Sequence, residues 1–165
     1  MNELYAEAGV KRKETLGTYA IRFLLIFVAV LSFLLASLSP IMLIIGTVII
    51  VLIVFMFPRL NVEYEYVFCD GQLDFDKIMG NAKRKTALKI DFEQVEIMAP
   101  LRSHELDQYA RENLVVKDFS SRSKEARPYV IIFKSADKKL KILFEPNEKM
   151  INCIKIKNSR KLVEY

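Results

Sequence analysis

The chain has one histidine, two cysteines, five glycines and no tryptophan among 165 residues. A closed structural zinc site needs about four nitrogen or sulfur ligands. Cys69, His104 and Cys153 supply only three candidates, so such a site is nearly excluded. Neither cysteine belongs to a CxxC pair, and both are expected to be reduced and inert. So few glycines leave little material for a phosphate-cradling loop, and Gly71 and Gly80 read as turn residues. No cofactor, no metal and no catalytic residue are therefore expected. Strong charge of one sign is missing too. The net charge is +5, and from residue 60 onward 20 basic residues stand against 17 acidic ones. That mild excess suits an anionic lipid surface and falls far short of the concentrated basic field of a nucleic-acid binder, so nucleic acid is not expected as a partner.

What the chain does have is apolar length. Its 52% hydrophobic residues concentrate in the stretch 23–57, interrupted only around Ser37, Ser39 and Pro40. At about 1.5 Å per helical residue this is too long for one crossing of a core about 30 Å thick, and the break lies near its middle. Two transmembrane helices, about 19–38 and 41–57, joined by a tight turn, are expected within a hairpin spanning 19–58. Gly46 and Thr47 of the second are candidates to pack on Ala29, Ser32 and Ala36 of the first. Lys11, Arg12, Lys13 and Arg22 precede the hairpin or open it, Arg59 follows, and the turn carries no charge. The positive-inside rule then puts both termini in the cytoplasm of a two-pass inner-membrane protein, with these five residues as topology and headgroup anchors. The apolar stretch exceeds a signal-peptide core and no small-x-small cleavage site follows it, so cleavage is not expected. No acidic residue interrupts either span, and an ion pathway has no visible parts. The arm, residues 1–18, reads as a cytoplasmic extension of the first helix.

Residues 59–165 read as a cytoplasmic domain. Val62, Tyr64, Tyr66 and Phe68 alternate with Glu63 and Glu65, a half-buried strand. Asp70-Gly71 is a two-residue hairpin signal, which sets Phe68 opposite Leu73 and Tyr66 opposite Phe75 on one face. A second turn at Gly80-Asn81 pairs Asp76 with Lys85 on the polar face, Phe75 with Thr86 on the core face, and Lys77 with Arg84. Like charges directly opposite are unfavourable, so either the turn is longer or the basic tip of Lys77, Lys83, Arg84 and Lys85 has a use. Further strands are expected near 94–99 and 114–119, with a short helix capped by Ser103 between them. Two clear strands follow, Tyr129–Lys134 and Lys139–Phe144, joined by Ser135-Ala136-Asp137-Lys138, with Tyr129, Ile131 and Phe133 inward against an inward set of Leu140, Ile142 and Phe144. A C-terminal helix starts after Pro146 and turns Met150, Cys153, Ile154 and Ile156 to one side. Ser103-His104-Glu105 brings a hydroxyl, an imidazole and a carboxylate together. Chain neighbours rarely face each other, so it is weak as a triad and His104 is expected to be a surface or capping residue. Asp70, Asp74 and Asp76 lack the spacing of a calcium loop.

The expected fold class is thus α+β: a two-helix transmembrane hairpin, then about seven mostly antiparallel strands in a barrel or sandwich closed by a C-terminal helix. That order is the layout of a pleckstrin-homology-like domain. The blocks Val62-Glu63-Tyr64-Glu65-Tyr66, Asp70-Gly71-Gln72-Leu73-Asp74-Phe75-Asp76-Lys77-Ile78, Lys83-Arg84-Lys85 and Phe144-Glu145-Pro146-Asn147-Glu148-Lys149-Met150 carry a resemblance over nearly the whole chain. It resembles an uncharacterised domain-of-unknown-function family of small two-span bacterial membrane proteins with a cytoplasmic pleckstrin-homology-like domain. The resemblance implies a fold and a membrane setting, and no ligand residues. The expected role is a non-enzymatic binding module whose partners are the bilayer and, through Lys77, Lys83, Arg84 and Lys85, anionic lipid headgroups. The alternative is a scaffold that recruits a protein partner through a strand edge or the C-terminal helix.

Overall fold

The computed structural model describes residues 4–36, 39–80, 83–135 and 138–164, with Pro58 and Arg59 by backbone alone. It divides into two compact units, one helical and one built of strands.

In the helical unit, α1 (Leu16–Ala36) and α2 (Pro40–Met56) form an antiparallel pair. Thr15 opens α1, its carbonyl and hydroxyl both accepting from the Thr18 amide. Ser39 is extended and caps α2, its hydroxyl accepting from the Ile41 amide at 3.3 Å, and Pro40 takes the first turn, where its missing N–H costs nothing. The expected break is therefore confirmed at Ser39-Pro40, while Ser37 lies outside the described residues. The helices pack closely where Gly46 meets Ser32, and a Cβ on Gly46 would stand 3.1 Å from the Ser32 carbonyl oxygen. Those two residues are buried, whereas Thr47 is exposed and donates to its own helix at the Leu43 carbonyl. Most other apolar side chains of the pair point outward, Phe23 and Phe33 each 75% exposed. By length and composition α1 is a candidate membrane span, and α2 is a shorter apolar helix of 17 residues. At the base, Arg22 pairs with Glu14 at 2.7 Å, donates to the Asn61 side-chain oxygen and lies over the Phe57 ring.

The strand unit holds two four-stranded sheets. The first runs β1 (Tyr5–Lys11), β2 (Val62–Cys69), β3 (Gln72–Met79) and β4 (Lys83–Asp91) in that order. The arm is thus a strand, not an extension of the first helix. It pairs antiparallel with β2 from Tyr5↔Cys69 to Lys11↔Glu63. Its alternation is real, Ala6 facing the core opposite Phe68 and Ala8 opposite Tyr66, but two alanines make a faint hydrophobic signal. The β2–β3 turn forms at Asp70-Gly71 as expected, with φ of 45° and 102° at the two positions.

The second sheet has the order β5 (Val95–Pro100), β7 (Tyr129–Lys134), β8 (Lys139–Phe144), β6 (Val115–Asp118). The inward sets expected of β7 and β8 do meet each other, as Tyr129↔Phe144, Ile131↔Ile142 and Phe133↔Leu140. The connection between these two strands includes Ala136 and Asp137, which lie outside the described residues. One pairing departs from the antiparallel expectation. β6 runs parallel to β8, because the chain passes through the 119–128 loop and all of β7 before β8 begins, long enough for a parallel return.

Aromatic rings bring the two sheets together. Tyr66 and Phe75 of the first sheet meet Phe144 of the second edge-on at 5.5 and 5.6 Å, and Phe75 stacks on Phe119 at 4.8 Å. Edge-to-face pairs of this kind add about 0.5–1.5 kcal/mol each beyond their burial. The Tyr66 hydroxyl donates to the Phe119 carbonyl at 2.5 Å, so this fully buried ring leaves no orphaned polar atom. Val130 and Ile132 fill the other face of β7 and pack with Ala99 and Leu106 in a second small core. Leu106 comes from the 3-10 segment His104–Tyr109, capped by Ser103 as expected. α3 (Glu148–Asn158) is capped by Asn147 and buries Met150, Cys153 and Ile154. Ile156, expected on that side, is 72% exposed, since it falls beyond the arc that three buried positions define. The same Asn147 donates to the Glu7 carbonyl of β1 at 2.8 Å, so α3 closes the outer edge of the first sheet.

Candidate functional site

Four basic residues singled out by sequence fall at the ends of β3 and β4. Lys77 is half-buried near the end of β3, and Lys83, Arg84 and Lys85 open β4 exposed. The polar pairing there is shifted from expectation. Arg84, not Lys85, meets Asp76, Nε to Oδ2 at 2.6 Å, and its Nη2 reaches Glu65 at 2.5 Å. β3 ends at Met79 and β4 begins at Lys83, so the connection is one residue longer than a Gly80-Asn81 turn. Gly80 takes φ of 61°, and Asn81 lies outside the described residues. Thr86, expected on the core face, is exposed and hydrogen-bonds Asp76 instead. Asp74 likewise pairs with Lys89 at 2.6 Å and not with Lys83 or Lys85.

Arg84 is therefore held within the fold. Asp76 is only 8% exposed although it sits on the outer face of its sheet, because Arg84 lies across it. Burial pushes its carboxyl up, but the hydrogen bonds from Arg84 and Thr86 outweigh that and hold it below the ordinary carboxylate value. The hydrogen bond to Asp76, joined by the fields of Glu65 and Glu7, raises Arg84 in turn. Glu7 on β1 and Glu65 on β2 are hydrogen-bonded carboxylates with opposite shifts. The bond raises Glu65 and lowers Glu7, which also accepts from the Tyr5 hydroxyl at 2.7 Å. This network escaped the sequence reading because Glu7 belongs to a strand that was read as helix. The cations at this end without an ion pair among the described residues are Lys77, Lys83 and Lys85.

The anchor residues divide similarly. Lys11 and Lys13 are exposed. Arg12 donates to the Tyr64 hydroxyl at 2.9 Å with its guanidinium over that ring, and Arg22 is engaged by Glu14 and Asn61. The Arg59 side chain lies outside the described residues. His104 is fully exposed with Nδ1 3.3 Å from Asp107, and Ser103 serves as the cap. Both cysteines are free, Cys69 exposed and Cys153 buried, and no group of three metal-binding side chains gathers among the described residues.

Two facing sheets with an aromatic core, closed at one edge by a C-terminal helix, define a pleckstrin-homology-like domain. The chain belongs to the family described as a bacterial PH-like domain (DUF6106), whose model matches residues 2–164 and so takes in the arm, both helices and the strand unit. No curated protein and no solved structure matches the chain.

Proposed function

We propose that this is a two-span membrane protein whose PH-like unit is a non-enzymatic binding module on the cytoplasmic face, contacting anionic lipid headgroups through Lys83 and Lys85. The observation that carries the reading is the position of the helices in the chain. α1 and α2 together form the connection between β1 and β2, and those strands pair down to Lys11↔Glu63. Paired strands lie on one side of a bilayer, so the chain between them crosses an even number of times. The outward apolar surface of both helices favours two crossings over none. At about 1.5 Å per residue, the 17 residues of α2 reach about 26 Å, near the lower limit for a span. The basic Lys11, Arg12 and Lys13 before the hairpin favour a cytoplasmic PH-like unit.

The connection from α2 to β2 is the short 3-10 segment Phe57–Leu60 and Asn61, which tethers the module within a few residues' reach of the headgroups. Tethering gives weak contacts a high effective concentration, so two or three lysines worth about 1 kcal/mol each near an anionic leaflet are enough to orient it. Arg84 is not among them in this reading, since Asp76 and Glu65 already neutralise it. The test is amine acylation of the full chain in nanodiscs of neutral or anionic lipid. Lys83 and Lys85 should be protected in anionic discs at low salt and released at high salt. Equal acylation in both discs removes the lipid reading. It would advance a protein-interaction scaffold, which the open edge strand β6 favours with Val116 58% exposed.

A further inference from the structure

We infer that the cleft under the 119–128 loop is a second anion site, built to hold a phosphomonoester and separate from the lysines of β3 and β4. The cavity has a volume of about 550 Å³, and Arg102, Lys124 and Arg127 line it together with Ser120 and Ser123. Those three cations are exposed and have no ion pair among the described residues. Glu125 is the one lining carboxylate not already engaged, because Asp118 serves the loop itself.

Asp118 accepts from the Ser120 amide at 3.0 Å, the Ser120 hydroxyl at 2.7 Å and Arg122 Nε at 2.7 Å. Glu145 accepts from the Ser121 amide, and the Ser121 hydroxyl accepts from the Ser123 amide. Ser120 and Ser121 are buried, so the loop is fixed from beneath. Arg122 is held at φ 58°, a left-handed conformation that residues other than glycine seldom adopt. The loop's own needs are thus met by Asp118 and Glu145, and Arg102, Lys124 and Arg127 line the same cleft without an ion pair among the described residues to offset their mutual repulsion.

Guanidinium forks match the oxygens of a phosphate group, and a terminal phosphate presents three of them. The cavity far exceeds an inorganic phosphate, and Leu101, Pro128 and Leu143 give it apolar wall, so the phosphate arrives on a small organic body. A soluble phosphomonoester and the headgroup of phosphatidic acid share this chemistry.

The experiment uses the full chain in neutral-lipid nanodiscs, titrated with glycerol 3-phosphate and with glycerol as the blank. A second arm uses nanodiscs that contain phosphatidic acid, read by hydrogen exchange of the 119–128 amides. Saturable binding of glycerol 3-phosphate, or protection of the loop by phosphatidic acid, is expected in the wild type and names the source. Arg102→Gln/Lys124→Gln/Arg127→Gln should weaken it at least tenfold, Arg127→Lys should weaken it less, and Lys83→Gln/Lys85→Gln should leave it intact. Absence of binding in both arms, or binding unchanged in the triple variant with native circular dichroism, overturns the assignment.

Discussion

Asn147 performs two tasks that substitution can separate. Its side-chain oxygen accepts from the Met150 amide at 2.8 Å to cap α3, and its Nδ2 donates to the Glu7 carbonyl of β1 at 2.8 Å. Losing an Asn cap costs about 1 kcal/mol. Losing a neutral hydrogen bond costs roughly 0.5–1.5 kcal/mol, and this one is exposed. Asn147→Ala removes both, about 2 kcal/mol, whereas Asn147→Asp keeps the cap, favours the helix N-terminus and loses only the donor, about 1 kcal/mol. At about 4 °C per kcal/mol for a unit of some hundred residues, the two variants should melt about 8 and 4 °C below wild type. The assay is thermal circular dichroism of the full chain in micelles, with hydrogen exchange of the β1 amides. Both variants should speed exchange in 5–11. If Asn147→Asp matches wild type in melting and in β1 exchange, the clamp between α3 and the arm contributes nothing, and the reasoning that makes the arm part of the PH-like unit fails.

Tyr66→Phe leaves the Phe119 carbonyl without its buried donor and should cost about 1–3 kcal/mol by chemical unfolding. The Asp118 carboxyl, which burial alone would raise, is held below its ordinary 3.8 by Ser120 and Arg122. The stabilisation from a depressed pKa is fully present above the ordinary value and is lost as pH falls through the lower folded-state value, so carbon NMR should put the Asp118 midpoint under 3.8, moving up in Arg122→Gln. Gly46→Leu drives a side chain into the Ser32 backbone, where a Cβ alone would stand at 3.1 Å, and overpacking should cost about 1–3 kcal/mol in the melting of the helical pair in micelles.

Elements whose signal is local were legible in the sequence. Ser39-Pro40 caps a helix, Asp70-Gly71 turns a hairpin and β7–β8 keep the register of their alternation, because each depends on neighbours in the chain or on a strict period of two. What failed depends on partners far away. The run Tyr129-Val130-Ile131-Ile132-Phe133 is apolar at every position, which is the mark of a strand buried on both faces, yet the covering Leu106 and Ala99 come from other segments. β1 is hidden by its alanines and by 50 residues of helical insertion before its partner β2. At the candidate site, Lys83 and Lys85 were legible as exposed cations, but the ion pair of Arg84 with Asp76 was not, because the pattern of a strand does not say which of its basic residues reaches the carboxylate on its neighbour. The cleft under the 119–128 loop carries no local sequence pattern, since Arg102 joins it from just past the end of β5.

The most direct measurement is the sidedness of single cysteines toward a membrane-impermeant maleimide in spheroplasts expressing the chain. One variant keeps the exposed Cys69 at the end of β2 and carries Cys153→Ser, and the other carries Ser39→Cys with Cys69→Ser and Cys153→Ser. Ser39→Cys, in the turn between the helices, should be labelled from outside, and Cys69 only after permeabilisation. Labelling of both from the same side, or of Cys69 alone from outside, would contradict two spans with the PH-like unit in the cytoplasm.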